Sequence, residues 1–432
     1  METISKGRYS LKQILKDNWC HFVPVTKDPI SFSAAYNVWK VMNCREPDGL
    51  GYATYACPDH PQETCHVPRT CKSRFCSVCA KVQIDKWVSD IDRLFPNCPY
   101  FHIVFTVPSE FRELLFEKKF LLNAVFCASS QTLLSFCKEQ GFLPAITGVL
   151  HTFGSDLKRH IHIHFIISAG GLKLSGKAER ITRYLKRKKK NPRAKQRKVC
   201  VLVDDPQWVS CSSFPYEMFR KRYQSLLIKH LKEQIQQNLL SGTPDPAFNV
   251  FSEPSAVKSF FDDLKREYKN GFFVNVSEER KDLKPTAGYI GRYARRPPIS
   301  EVRIKEYTGE WITFEYKDYL NNGGKVLETL KTVEFIEKLI RHIPEHYFNV
   351  IRHFGLMASR VKAAYKEITD RLLPFPPRPE KALTWQERQT AFRGMNPLVC
   401  RICQKPMRFV SLFIPNPLSG AFFSWGRQTG SV

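Results

Sequence analysis

Along this chain, stretches in which apolar and polar residues alternate interleave irregularly with stretches of helical periodicity. "YFHIVFTVPSEF" is β-branched and aromatic up to Pro108, which predicts a strand and then a helix from about Glu110 into the 130s. "AITGVLHTFG" and "RHIHIHFIISAGG" predict two more strands, the second ending at paired glycines. Helical spacing marks "FSAAYNVWKVMNC", then "FPYEMFRKRYQSLLIKHLKEQIQQNLL" as far as "SGTPDP". "VKSFFDDLKREYKNGFFVNV" predicts a helix, a glycine stop and a strand, and a further strand is expected at "VCVLV". In "TAGYIGRYARRPPIS", Pro285 can open a helix that "RRPP" must close. Strands return in "EVRIKEYTGEWITFEYKDY" with Gly309 as the hairpin turn. The stretch from Thr332 to Leu373 reads as helical in two parts, and "PFPPRP" as a linker. Paired strands without strict βαβ alternation predict an α+β fold with no internal repeat.

Composition adds a partner class. Of 432 residues, 67 are Lys or Arg against 41 Asp or Glu, a formal net charge of +26. Such an excess is the footprint of nucleic-acid binding, since phosphate contacts release counterions whatever the sequence. The segment "RYLKRKKKNPRAKQRK" is a solvated loop or one that follows a DNA backbone. No run of about 18 apolar residues occurs, and the start lacks a secretory apolar stretch, so a cytoplasmic protein with no membrane contact is expected. Fourteen cysteines then point to metal sites and reduced thiols more than to disulfides.

Three groups of residues carry candidate chemistry. In "HIHIHF", His160, His162 and His164 alternate with isoleucines, so a strand sends all three imidazoles to one face, the spacing of a divalent-metal site. His151 and Asp156 lie just upstream as further candidates. Tyr289 and Tyr293 are four apart, neighbours on a helix, and Arg292, Arg295 and Arg296 border them where DNA phosphates could be held. Cys57-x2-His60 and Cys76-x2-Cys79 form two ligand pairs for a tetrahedral zinc, with Cys71 between them as a spare that could replace His60. Lys72 and Arg74 beside these ligands suggest contact with DNA. Cys400 and Cys403 make half a site, for zinc or as a bare thiol pair.

"HIHIHF" with "YIGRY" downstream resembles the two-tyrosine rolling-circle transposases of the insertion sequence 91 type, within the HUH endonuclease superfamily. "YACPDHP", "CKSRFCSVC", "FTVPSEFR", "GYIGRYARRPPIS" and "CRICQKPM" follow in the family's order, over most of the chain. The resemblance implies a central antiparallel sheet flanked by helices (93–300), an N-terminal zinc module (1–92), a strand and helical region (301–372) and a tail (373–432). It implies that His162 and His164 bind Mg²⁺ or Mn²⁺, with His160 as a third ligand or a support behind them. It makes Tyr289 and Tyr293 the nucleophiles that nick single-stranded DNA at element ends through a 5′-phosphotyrosine. A bacterial, nucleoid-associated protein would follow. A plasmid replication initiator or relaxase shares this chemistry. A zinc-dependent DNA-binding regulator is the alternative without catalysis. A metallo-β-lactamase-type hydrolase wants an Asp-His pair where this chain continues "IISAGG".

Overall fold

The computed structural model describes residues 8–26, 29–173, 183–184, 198–199, 206–239, 254–295, 297–318, 323–374 and 383–415. Most of the basic loop at 183–198, "VCVLV" past its first residue, "SGTPDP" and the linker beyond Pro374 lie outside them.

Helices α1 (Leu11–Val25) and α2 (Phe32–Met42) each start at a serine, Ser10 and Ser31, whose hydroxyl accepts an otherwise orphaned amide. A single turn, α3 (Pro47–Leu50), leads into the hairpin of β1 (Tyr52–Ala56) and β2 (Thr64–Pro68), then into α4 (Ser77–Leu94). Next come β3 (Tyr100–Thr106), α5 (Arg112–Glu117), α6 (Leu122–Glu139), β4 (Phe142–Phe153) and β5 (Arg159–Lys173). The one helix expected from Glu110 onward is thus two, because Lys118 takes non-helical angles (φ −113°, ψ 74°).

Two short strands, β6 (Arg183–Tyr184) and β7 (Lys198–Val199), precede β8 (Trp208–Ser210), α7 (Tyr216–Leu239), α8 (Pro254–Glu267), β9 (Val274–Val276) and α9 (Leu283–Arg295). The meander of β10 (Ile304–Tyr307), β11 (Trp311–Asp318) and β12 (Gly324–Lys331) turns first at Gly309, at φ 95°. The chain closes with α10 (Thr332–Arg341), β13 (Ile351–Gly355), α11 (Lys362–Leu372), α12 (Trp385–Arg393) and β14 (Arg408–Phe413).

The central sheet runs β13-β4-β5-β3-β9, with β8 also on β5, and every pairing is antiparallel. Smaller sheets are β14-β1-β2 and β10-β11-β12. This is the expected α+β architecture, but two elements cross the expected boundaries. β13, in a stretch expected to be helical, is the edge strand on β4, and β14, in the expected tail, pairs with β1 near the N-terminus. β5 also runs through its paired glycines instead of ending there: Gly170 sits at φ 129°, and a Cβ on it would lie 2.1 Å from the Val209 carbonyl of β8.

The two faces of the central sheet divide the core. Ile161, Ile163, Phe165 and Ile167 of β5 are buried against α6, α7 and α8, through residues such as Phe126, Tyr223 and Phe261. Each such side chain contributes roughly 1.5–3 kcal/mol by leaving water. On the other face Tyr100, Val149 and Ile166 pack under α4, α9 and α11. Alternation along β5 puts its histidines on this second face.

Candidate active site

Strand register brings imidazoles together from β4 and β5. His151 stands opposite His162, with His151 Nδ1 3.3 Å from His162 Nε2. One ring nitrogen from each of His151, His162 and His164 falls in a group whose members all lie within 4.8 Å of one another. His160 is not in this group: its side chain is half-buried, and its carbonyl accepts a hydrogen bond from His162 Nδ1 at 3.1 Å. Asp156 is also outside, ion-paired to Lys158 at 3.3 Å. The third imidazole therefore comes from the neighbouring strand and not from the same one.

A fourth histidine stands behind the trio. His102 on β3 places Nε2 2.8 Å from His164 Nδ1, which leaves His164 Nε2 to face the group. Burial is the main cause that lowers all these imidazoles: His162 to about 3, His102 to about 4, and His151 and His164 well below their ordinary value. Near pH 7 they are neutral, the form that ligates a metal. The described residues of this group include no carboxylate, so the donor set is three imidazole nitrogens.

Tyr289 closes the site from α9. Leu283, Ala287 and Ile290 form the buried stripe of that helix, and Tyr289, one position before Ile290, comes out at the stripe's edge, 41 % exposed. Its ring meets the His164 ring edge-on at 6.1 Å between centroids, and that of His102 at 6.4 Å. The start of α9 is tied to the sheet: the Tyr100 hydroxyl lies 2.5 Å from the Asp282 carbonyl and 2.7 Å from the Thr286 hydroxyl, and Arg280 donates to Thr286 at 3.2 Å. Tyr293 stands one turn further along α9, with Arg292 and Arg295 on the same turns; Arg296 lies outside the described residues.

The cysteines divide differently from the expected set. Cys71, Cys76 and Cys79 join Cys44, which follows α2, in a buried group with Sγ separations of 3.5 Å (Cys71–Cys79), 3.6 Å (Cys44–Cys79) and 3.7 Å (Cys44–Cys76). Tetrahedral zinc with Zn–S near 2.3 Å requires sulfur edges of about 3.8 Å, so this group fits zinc. The Cys71 and Ser73 amides point at Cys44 and Cys71 sulfurs, and thiol hydrogen bonds from Cys71 and Cys76 bring Cys44 down to about 7. Cys57 and His60, expected to complete this set, lie instead with Cys400 and Cys403. Sequence spacing missed Cys44 because it lies 27 positions before Cys71.

Lys72, expected at DNA, is exposed at φ 53° in the Cys71 turn. It lines a cleft of about 270 Å³ together with Lys40, Arg74, Asn37, Gln83 and Asn349. Arg74 is partly committed inward: it donates to the His342 carbonyl at 2.9 Å and lies over the Phe75 ring.

Comparison with known proteins adds a family. Residues 145–200 and 200–364 match the family described as "Putative transposase", and residues 14–107 match the one described as "Transposase zinc-binding domain". All four residues of the Cys44 group fall within the second match. The chain is 28 % identical to the transposase for insertion sequence element IS801 of Pseudomonas savastanoi pv. phaseolicola, over 84 % of this chain and 80 % of that protein. It is 22 % identical to "Putative transposase y4qJ" of Sinorhizobium fredii, over 78 % and 79 % respectively. No solved structure matches the chain. No helix among the described residues is long and apolar enough to cross a membrane.

Proposed function

The chain belongs to the transposases of the insertion sequence 91 type, and on that premise we propose that it cuts single-stranded DNA at its element's ends with a tyrosine and transfers the strand by a rolling-circle-like route. The observation that carries this reading is the Tyr289 ring set against His164, itself one of three clustered imidazoles.

In the proposed step the Tyr289 oxygen bonds to the scissile phosphorus and the DNA 3′ oxygen leaves, giving a 5′-phosphotyrosine and a free 3′-hydroxyl. The ester keeps the energy of the broken linkage, and a phenol with a pKa near 10 leaves readily when a 3′-hydroxyl attacks later. Tyr293, four residues on, is the second nucleophile, so one strand stays held while another is cut. His151, His162 and His164 would hold a divalent ion, which when bound polarises the phosphate. An all-imidazole set favours Mn²⁺ over Mg²⁺. His102 fixes the ring and tautomer of His164 from behind. Arg292, Arg295 and Arg296 neighbour the tyrosines in sequence, where they would add positive charge for phosphates, and the cleft at Lys40, Lys72 and Arg74 offers a path for the phosphate backbone.

Incubation with end-labelled single-stranded oligonucleotides from the flanks of its own gene, with Mn²⁺, tests this. A protein–DNA adduct that survives denaturing electrophoresis is expected, reduced in Tyr289→Phe or Tyr293→Phe and absent in the double variant, while DNA binding stays nearly unchanged. An adduct persisting in the double variant would exclude these nucleophiles. An intact strand with the unaltered protein would favour a DNA-binding regulator.

A further inference from the structure

The tail motif "CRICQKPM" lies against residues near the opposite end of the chain. Cys403 Sγ is 3.5 Å from Cys57 Sγ, 346 positions away, and Cys400 Sγ is 3.8 Å from His60 Nδ1. Cys57 Sγ and His60 Nδ1 are 3.7 Å apart. A disulfide needs about 2.0 Å between sulfurs, so these thiols are not bonded. A tetrahedral zinc with Zn–S near 2.3 Å and Zn–N of 2.0–2.1 Å gives S···S edges of about 3.8 Å and S···N edges of about 3.6 Å, close to these separations.

Each pair sits on its own tight turn. In the first, the Cys57 amide donates to the Glu63 carbonyl and the Glu63 amide to the His60 carbonyl, at 3.1 and 2.9 Å. In the second, the Cys400 amide donates to the Lys405 carbonyl at 2.9 Å and the Gln404 amide to the Cys400 carbonyl at 3.0 Å, with Gln404 at φ 56°. Lys405 bridges the two turns through Asp59 at 2.6 Å.

What the tail lacks is as informative. β14 pairs with β1 from Tyr52↔Phe413 to Ala56↔Arg408, but all six of its residues are exposed. Beyond the ladder, β14 is held by ring contacts of Phe413 with Tyr52 and of Phe409 with Tyr55, and a small sheet whose edge strand buries no side chain fully needs another anchor. Cys57 directly follows β1, and Cys403 shortly precedes β14, so the four donors stand at the end of the ladder where the strands would otherwise part.

We infer that Cys57, His60, Cys400 and Cys403 bind a second zinc ion, which clasps the C-terminal strand to the N-terminal hairpin and makes one two-zinc unit from both ends of the chain. Binding releases the thiol protons and leaves the imidazole neutral. Cys400 and Cys403 lie outside the matched zinc-binding region, and the inference stands apart from the strand-cutting reading: either can fail alone.

In a His162→Ala background of the full chain, which breaks the three-imidazole group, zinc content should be two per molecule. The Cys400→Ser/Cys403→Ser variant should retain one, and hydrogen exchange should quicken at 52–56 and 408–413 while α4 stays protected. His60→Cys should keep both ions. In that background, one zinc with all four clasp ligands present, or two in the double cysteine variant, overturns the inference. Should the double variant fail to fold, cobalt titration of the unaltered chain decides. Two spectrally distinct sites, four-thiolate and three-thiolate with one imidazole, support the clasp; a four-thiolate spectrum alone refutes it.

Discussion

At the scale of single residues, the site depends on which nitrogen of each imidazole is free. His162 Nδ1 donates to its own strand's carbonyl and His164 Nδ1 is paired with His102 Nε2, so in both rings Nε2 is the nitrogen turned to the group. His102 thereby acts through His164. Removing such a partner typically costs 10–100-fold in metal affinity or activity. His102→Ala should raise the Mn²⁺ concentration that half-saturates adduct formation by roughly that factor, with little change in the maximal rate. His102→Gln, which can still hydrogen-bond His164, should recover part of it. A fall in maximal rate at unchanged Mn²⁺ requirement would count against positioning. The alternation of "HIHIHF" was enough to place His162 and His164, and His151 stood among the candidates just upstream, but His102 comes from β3, and register between strands leaves no local trace in sequence. For the same reason Cys44 went unseen, and Cys400 and Cys403 had no visible partners.

At the scale of elements, long segments of strong periodicity were legible, and short ones were overridden by neighbours. α7, α9 and the β10–β11 hairpin lie where their apolar spacing and punctuation put them. β13 is only five residues between two helical stripes, so its period of two had too few repeats to register. The paired glycines of β5 read as a stop, yet they serve close approach: a Cβ on Gly171 would fall 2.1 Å from the Leu143 carbonyl of β4, as one on Gly170 would from Val209. Gly170→Ala combines that clash with a backbone angle that side chains resist, and should destabilise the fold by more than about 1 kcal/mol in denaturant titration. An unchanged midpoint would mean that β8 can peel away from β5 without loss. α4 offers a second test, since Cys76 is its N-cap and Cys79 lies in its first turn. Chelating the zinc of the Cys44 group should loosen this helix, which roofs the histidine face, and so lower adduct formation along with helical circular dichroism. Retained helicity after zinc removal would show that the Trp87 and Ile91 packing suffices.

For the whole molecule, the histidine-bearing face sets a response to acid. His102, His151, His162 and His164 are joined there by His353 of β13, which burial lowers to about 4 and whose Nδ1 lies 3.0 Å from the Thr147 hydroxyl. In the folded chain these rings stay neutral down to their depressed values, whereas in the unfolded chain they take up protons near pH 6.5. The unfolded state therefore binds more protons between pH 6.5 and about 4, and stability falls as pH falls through that window. Above 6.5 both states are neutral and the effect vanishes. Each ring contributes a slope of up to roughly 1.4 kcal/mol per pH unit. Carboxylates titrate mainly below about 4.5, so the interval from 6.5 to 4.5 isolates the imidazoles. Acid also strips zinc from thiolates, a loss common to any variant that keeps the cysteines, so the comparison is made between the unaltered chain and His102→Gln/His353→Gln. Removing two of the six rings that burial lowers on this face, His160 included, should flatten the dependence of the urea midpoint on pH over this interval. Identical slopes would mean that His102 and His353 take up protons in the folded chain as readily as in water, so that burial on this face does not hold them neutral.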